Sequence, residues 1–200
     1  MPASFLAKLS QNLISLAIRP QTPLLIALSG GIDSISLLYA LCQLGEWPLT
    51  ALHINYHLRG EESNQNEQFC RKMCAEWQIP LQVIDAPIQE KNGVQQAART
   101  IRMKQLKKTA AELSIPYIVL AHHQNDLAET VLFQLSRGSL WRGISALQMR
   151  NGVFIRPFLN FCRSDIEKWW RQQNIGFAED SSNDENIYAR NIIRHEILPK

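Results

Sequence analysis

The feature that most constrains this 200-residue chain is the stretch LLIALSGGIDSISLLYAL at residues 24–41. A short apolar run leads into Ser29-Gly30-Gly31, and a segment of helical character follows. A loop between a strand and a helix brings main-chain N–H groups and the positive end of the helix dipole to one point, where a phosphate group binds well. The stretch therefore predicts a phosphate-binding loop at the carboxyl end of a buried strand.

The pattern on either side of this loop predicts an α/β fold with a mostly parallel sheet. Apolar runs separated by amphipathic segments indicate strands joined by right-handed helical crossovers and covered on both faces. Such sheets bind ligands beyond the carboxyl ends of their strands. We expect strands at 24–28, 49–56, 81–85, 117–122 and 153–156, and helices at 35–44, 63–77, 95–113 and 127–137.

Composition favours one globular domain. The chain is 46% hydrophobic and 20% charged with a net charge of +3, a balance that permits an RNA partner without indicating one. Its four cysteines form no C-x-x-C pair, and no segment is long enough to span a membrane. We expect a cytoplasmic protein with no membrane partner and a single domain over 1–200, made of a nucleotide-binding core at about 22–138 and a helical C-terminal extension at about 139–200.

Asp33 separates this loop from the better-known nucleotide-binding loops. The Walker pattern needs a lysine and a longer loop, and the dinucleotide fingerprint needs a third glycine, and neither is present. A carboxylate beside a polyphosphate is repulsive unless a divalent cation joins them, and Mg²⁺ prefers a carboxylate together with phosphate oxygens. The alternative is a plain turn in which Asp33 and Ser34 are ordinary first-turn residues.

The whole hexapeptide favours the site over the plain turn. It predicts a magnesium–triphosphate site with Asp33 as the metal ligand, formed by Ser29, Gly30, Gly31, Ile32, Asp33 and Ser34. In this sequence, SGGIDS resembles the signature of the PP-loop ATP pyrophosphatases. The resemblance implies a three-layer PP-loop fold, ATP and Mg²⁺ as cofactors, and cleavage of ATP between the α- and β-phosphates to leave an AMP-activated substrate.

Further motifs narrow the resemblance to the tRNA(Ile)-lysidine synthetases. Five segments are similar to that family in the same order: HINYHLRGEES (53–63), AARTIRMKQL (97–106), AHHQNDLAETVLFQLSRGS (121–139), IRPFL (155–159) and EDSSNDENIYARNIIRHEILP (179–199). The resemblance implies ATP-dependent ligation of free L-lysine to the wobble cytidine of tRNA(Ile) with a CAU anticodon. It also suggests the N-terminal catalytic part of a longer protein. Asn125 departs from the family, which often has an aspartate there.

Strand alternation places His53 and Asn55 on one face near the carboxyl end of the second strand. We expect one of them to bind adenine or ribose, with a buried structural histidine as the alternative. Arg99 and Arg102 lie one turn apart near the start of a helix, where they could reach a phosphate or a carboxylate. The family resemblance favours Arg102 for this contact, and a solvated helix face is the alternative.

Asp126 and Glu129 are the remaining catalytic candidates. A capping box with Asp126 as N-cap and Glu129 at N3 is one interpretation. In the other, the two carboxylates bind the amine of lysine, which arrives protonated because its pKa is near 10.4, and one of them removes its proton. Two other functions stay open: a tRNA thiolase of the same loop family, or a nucleotide- or RNA-binding module without catalysis.

Overall fold

The computed structural model describes residues 2–88, 93–136, 138 and 147–176. Helices and strands alternate through the first four strands of this part of the chain. The helices are α1 (Pro2–Ser15), α2 (Ile32–Leu44), α3 (Glu61–Glu76), α4 (Val94–Glu112), α5 (Gln124–Ser136) and α6 (Arg163–Arg171). The strands are β1 (Leu24–Ala27), β2 (Leu49–Asn55), β3 (Leu81–Asp85), β4 (Tyr117–Val119), β5 (Arg150–Asn151) and β6 (Phe154–Ile155).

The strands form one sheet in the order β3-β2-β1-β4-β6-β5. All neighbours run parallel except β5 and β6, which form an antiparallel hairpin. The predicted α/β class is confirmed. From β1 the chain passes to β2 on one side and later to β4 on the other, so the strand order reverses at β1. Parallel sheets open a crevice at such a reversal, beyond the carboxyl ends of the strands.

The core explains why β1 lies at the centre of the sheet. Leu24 and Ile26 are fully buried on the face that α1, α2 and α6 cover. Leu25 is fully buried on the other face, against Leu106 of α4. Alternating side chains of a strand point to opposite faces, so an uninterrupted apolar run suits a strand covered on both sides.

Some strand and helix boundaries in the structure differ from the predicted ones, and these differences lie next to turns. The fourth strand ends at Val119 rather than at 122, and α5 begins at Gln124, three residues before the predicted start. The strand predicted at 153–156 is β6, and it pairs with β5 through a two-residue turn at Gly152-Val153. A glycine in the first position of such a turn is a hairpin signal that the prediction missed.

Two helix ends carry a recognisable sequence pattern. Ser164 and Glu167 have the spacing of a capping box, but α6 begins at Arg163 with Cys162 as its N-cap, so this box does not form. Gly138, a residue type that often follows a helix, has left-handed backbone with φ at 71°. The last predicted motif, 179–199, lies outside the described residues. In the part of the chain that the structure describes, no helix is both long enough and apolar enough to cross a membrane.

Candidate active site

The loop between β1 and α2 is closed by its own serines. The Ser29 main-chain N–H donates to Ser34 Oγ at 3.1 Å, and Ser34 Oγ donates to the Gly31 carbonyl at 3.0 Å. The N-cap of α2 is Gly31, which offers no side-chain cap. The first amides of a helix have no partner within the helix, so those of Ile32 and Asp33 are left for an anion.

Asp33 presents an unsatisfied carboxylate oxygen beside these amides. Its Oδ1 is buried and has no hydrogen-bond partner, while its Oδ2 lies 3.5 Å from His123 Nε2. A buried oxygen without a partner carries a desolvation cost that a cation would remove. Mg²⁺ needs only one or two carboxylates when phosphate oxygens and water complete its shell, so the donor set fits this ion.

His123 joins Asp33 to the start of α5. Its side chain is only 1% exposed, and its Nδ1 lies 3.4 Å from Asp126 Oδ2. Burial by itself would lower the pKa of His123, but the carboxylates of Asp33 and Asp126 outweigh it and hold this pKa above its ordinary value. His123 therefore lies between two acids that belong to different helices, and these acids favour its protonated form.

The capping box proposed for Asp126 and Glu129 is wrong in its positions. Helix α5 begins at Gln124, which makes His123 the N-cap and Asp126 the third helical residue. Asp126 Oδ2 accepts the His123 main-chain N–H at 2.8 Å, which is one half of a capping box. Glu129 lies one turn further along, and its side chain is 7% exposed.

Two cavities meet beside the loop. The first has about 230 Å³ and combines an apolar floor that includes Leu52, Ile54 and Leu106 with Ser29 and Asp33. The second has about 150 Å³ and contains both carboxylate and guanidinium groups. Its polar walls include Arg99, Glu129, Thr130, Gln134 and Arg156. Leu120 and the polar residues Arg102, His122 and Asp126 line both cavities, so they form the junction between them.

Arg102 brings an unpaired donor to this junction. Its Nε is buried and has no hydrogen-bond partner. Burial lowers the pKa of Arg102, and Arg99 lowers it further, while Tyr56 opposes both. The guanidinium keeps its charge because an arginine is not deprotonated in proteins. It is therefore a cation with a free donor, placed where the two cavities join.

His122 is held neutral by its surroundings. Arg156 Nε donates to His122 Nδ1 at 3.3 Å, which leaves the proton of the neutral ring on Nε2. Burial lowers the pKa of His122 to about 4, with Arg156, Arg102 and Arg99 acting in the same direction and Asp126 against it. The ring therefore offers an N–H donor at the junction of the cavities.

This pKa predicts a pH dependence of stability. The ordinary value for histidine is 6.5 and the folded value of His122 is about 4, so the unfolded chain binds more protons between these pH values. We expect stability to rise with pH across this window and to level off above it. Urea unfolding at pH 4.5, 5.5 and 6.5 measures it. His122→Asn should flatten the rise, and an unchanged pH dependence in this variant would contradict the assignment.

His53 and Asn55 lie apart from these cavities. His53 is buried, its Nδ1 lies 3.0 Å from the Leu28 carbonyl, and burial lowers its pKa. Asn55 donates to Glu67 Oε2 at 2.9 Å and accepts the His57 main-chain N–H. Both line a separate cavity of about 530 Å³ between the loop and α3. Their contact with a nucleotide stays a prediction.

The structure thus brings most predicted residues together and adds others. The two joined cavities are lined by Ser29, Asp33 and Ser34 of the loop together with Arg102, Asp126 and Glu129. Sequence reasoning missed Arg156, which follows β6 and reaches the site only through the fold. Its signal was the IRPFL motif, where a single arginine stands among apolar residues.

A family model described as a PP-loop domain matches residues 3–200. The tRNA(Ile)-lysidine synthase of Thermotoga maritima is 39% identical over 183 residues, which cover 88% of this chain and 44% of that protein. The tRNA(Ile)-lysidine synthase of Bacteroides thetaiotaomicron is 40% identical over 185 residues, covering 90% and 43%. The chain thus spans less than half the length of these curated relatives.

Solved structures share the fold. The U34-tRNA thiolase NcsA from Methanococcus maripaludis superposes with a TM-score of 0.76 at 16% identity, covering 88% of this chain and 65% of that one. The NH3-dependent NAD synthetase from Campylobacter jejuni gives 0.57 at 17% identity, covering 84% and 71%. The family model and the loop of β1 and α2 agree: the chain belongs to the PP-loop family.

Proposed function

We propose that this chain carries the catalytic domain of an ATP-dependent carbon–nitrogen ligase. It joins the ε-amine of free L-lysine to the wobble cytidine of tRNA(Ile) with a CAU anticodon, and it releases AMP and pyrophosphate. The observation that carries the proposal is the junction of the two cavities at Arg102, His122 and Asp126. An adenylating ligase needs an activated phosphate next to a pocket for an amine, and this arrangement supports both.

ATP fits the first cavity and the loop. The apolar floor suits adenine, and the loop amides suit the β- and γ-phosphates that leave together as pyrophosphate. Asp33 would hold Mg²⁺, which supplies positive charge to the departing pyrophosphate when it is bound. This assignment explains why the loop has no lysine: main-chain amides and one carboxylate take the place of that side chain.

The first step is adenylation of the base. The carbonyl oxygen of the cytidine attacks the α-phosphorus, and the bond from this phosphorus to pyrophosphate breaks. Negative charge grows on the α-phosphate oxygens as this happens. The unpaired Nε of Arg102 and the Nε2–H of His122 lie at the junction where they can donate to these oxygens.

The second step consumes lysine. The ammonium group binds the carboxylates of Asp126 and Glu129 in the second cavity, and one carboxylate takes a proton so that the amine can attack the activated carbon. AMP leaves as the new carbon–nitrogen bond forms. The carboxylates bind the lysine ammonium group, and Arg102 stabilises the phosphate of the departing AMP. The acidic side chains thus act on the nucleophile and the basic side chain on the leaving group.

We propose the cytoplasm as the site of this reaction, because tRNA, ATP and free lysine are all present there. We further propose residues 1–200 as one PP-loop domain that corresponds to the catalytic part of the longer relatives. A net charge of +3 is modest for an RNA-binding protein. The remaining part of such a protein would then contribute affinity for tRNA.

The test is lysine ligation. The protein is incubated with ATP, Mg²⁺, radiolabelled lysine and unmodified CAU-anticodon tRNA(Ile), with a GAU-anticodon tRNA(Ile) as the control. We expect label in the CAU tRNA alone, with one AMP formed for each lysine incorporated. A folded, full-length protein that incorporates no label would contradict the proposal, and sulfur transfer in place of lysine would indicate the thiolase.

The cysteines favour the ligase over the thiolase. Burial raises the pKa of Cys74 to about 11, and it raises the pKa of Cys70 further, so both thiols stay protonated. Both lie in α3, away from the junction of the cavities. Among the described residues, no group of three or more histidine, cysteine or acidic side chains is placed to hold a metal ion by itself.

A further inference from the structure

Helix α3 bonds directly to the main chain of the phosphate-binding loop. Asn66, in the second turn of α3, donates from Nδ2 to the Ser29 carbonyl oxygen at 2.9 Å. The two residues are 37 positions apart, so the contact exists only because α3 packs beside the end of β1. Nothing in the proposed reaction so far uses this side chain.

The contact fixes the direction of a loop amide. The Ser29 carbonyl and the Gly30 N–H belong to one planar, trans peptide group, in which the two dipoles point in opposite directions. When Asn66 binds the carbonyl on the α3 side, the N–H must face the other way, away from α3. In the described part of the chain, this N–H has no acceptor of its own.

Gly30 is matched to Asn66 in two ways. Its φ of +88° is open to glycine and strained for other residues. A Cβ built on Gly30 would overlap the Asn66 amide oxygen, so this glycine leaves room for the contact. A peptide next to a glycine flips easily, because glycine adopts both signs of φ. A flip here would turn the Ser29 carbonyl oxygen towards an anion.

Two further residues hold this arrangement. The Cys70 thiol lies 3.8 Å from Asn66 Oδ1 as a donor, which orients the amide so that its NH₂ group faces Ser29. Cys70 Sγ also lies 3.6 Å from His53 Nδ1, and His53 in turn binds the Leu28 carbonyl. Two consecutive carbonyls of the chain, at 28 and 29, are thus held by side chains from β2 and α3.

We propose that Asn66 is a positioning residue that locks the Ser29–Gly30 peptide with its N–H towards the β- and γ-phosphates of the nucleotide. It acts on the affinity for the phosphate tail and leaves the affinity for the nucleoside unchanged. The inference rests on the proposed function only in taking ATP as the ligand. It holds whichever group the enzyme later activates.

The test compares ligands with and without the tail. Calorimetry measures the Kd of ATP, pyrophosphate and AMP for the wild-type chain, Asn66→Ala and the control Asn64→Ala, whose side chain bonds to Glu61 of the same helix at 3.4 Å. We expect Asn66→Ala to weaken ATP and pyrophosphate by about tenfold, the effect of one misplaced hydrogen bond. AMP should change less than about twofold by the same reasoning, and the control should match the wild type.

Alanine favours a helix more than asparagine does, so the variant should keep its fold, and thermal unfolding checks this. Equal weakening of all three ligands, or no weakening of any, would overturn the inference. A wild-type chain that binds neither ATP nor pyrophosphate would overturn it together with the proposed function. A chain that shows the expected selectivity but ligates no lysine would overturn the proposed function alone.

A double-mutant cycle gives a second measurement. Gly30→Ala should weaken ATP binding by itself, because alanine is strained at this φ and overlaps Asn66. In the Gly30→Ala background, the Asn66→Ala substitution should cost less affinity for ATP than it does in the wild type, since the lock is already broken. Simple additivity of the two effects would count against a shared role.

Discussion

Asp33→Asn abolishes the magnesium-dependent release of AMP and pyrophosphate and leaves tRNA retention almost unchanged. We expect kcat to fall by about 10³-fold or more, the scale at which removal of a charge-stabilising group acts on a transition state. The substitution keeps the size of the side chain and removes only its charge. The assay follows AMP and pyrophosphate with saturating ATP, lysine and tRNA, and a filter assay follows retained tRNA.

The expectation depends on the state of this carboxylate in the fold. Its Oδ1 is buried without a partner, and Asp33 lies in the first turn of α2. Without a cation, the carboxylate repels the triphosphate, so Asp33→Asn should bind ATP at least as well as the wild type when Mg²⁺ is left out. An inactive enzyme that still binds metal-free ATP separates a chemical role from a folding defect.

Asp165→Asn is the matched control. Asp165 lies in the first turn of α6, so it has the same favourable interaction with a helix dipole as Asp33 has in α2. Its loss should lower stability slightly and leave turnover within about twofold, as expected of a dipole interaction worth under about 1 kcal/mol. A fully active Asp33→Asn enzyme would mean that the loop binds its nucleotide without the proposed metal.

The sequence predicted the parts of this site that lie within one segment. Strand, loop and helix follow each other within 18 residues at 24–41, so their geometry depends on local rules. The loop lies between β1 and α2, where these rules place it. Asp126 also follows from position, since it lies in the first turn of a helix that begins beyond the carboxyl end of β4. Arg102 lies in the middle of α4, not near its start as predicted, and only the family resemblance favoured it.

Contacts between distant segments were not predictable from the pattern. Arg156 reaches His122 across 34 positions, and Asn66 reaches Ser29 across 37. Arg156 stood out in the IRPFL motif and Asn66 lay in a polar helix, but neither pattern named the distant partner. The cap of α5 was misplaced for a related reason: the run AHH looked like the end of a strand, but its last residue, His123, is the N-cap of the helix.

A polar residue in a strand can bond to other protein groups when a helix covers its face of the sheet. His53 and Asn55 were expected to contact adenine or ribose because they lie near the strand end, and in the fold their side chains bond to Leu28 and to Glu67 while they also line a cavity. Alternation tells which face a residue occupies but not whether a helix covers that face. The next helix, α3, packs on this face, where Asn55 bonds to its Glu67 and His53 bonds to Leu28 just before the loop.

Glu129→Gln raises the KM for lysine by about 100-fold, the scale expected when one partner of a buried ion pair is lost. Glu129 is 7% exposed and lines the cavity that Asp126 shares with Arg102, so a lysine ammonium bound there is largely removed from water. A neutral amide keeps the shape of this wall but cannot compensate the charge. Adenylation of the tRNA, followed as pyrophosphate release without lysine, should change less than about threefold, because that step does not use the amine.

Glu112→Gln serves as the control, since Glu112 is an exposed helical glutamate that pairs weakly with Lys108 at 3.8 Å. Asp126→Asn should affect both steps, because Asp126 lies at the junction of the cavities and also caps α5. The ratio of the rise in KM for lysine to the loss of pyrophosphate release therefore distinguishes the two carboxylates. Glu129 acts on lysine alone, whereas Asp126 acts on lysine and on the activated base. Equal loss of pyrophosphate release in both variants would contradict this division, because it would place the second cavity in the first step and leave lysine without a site.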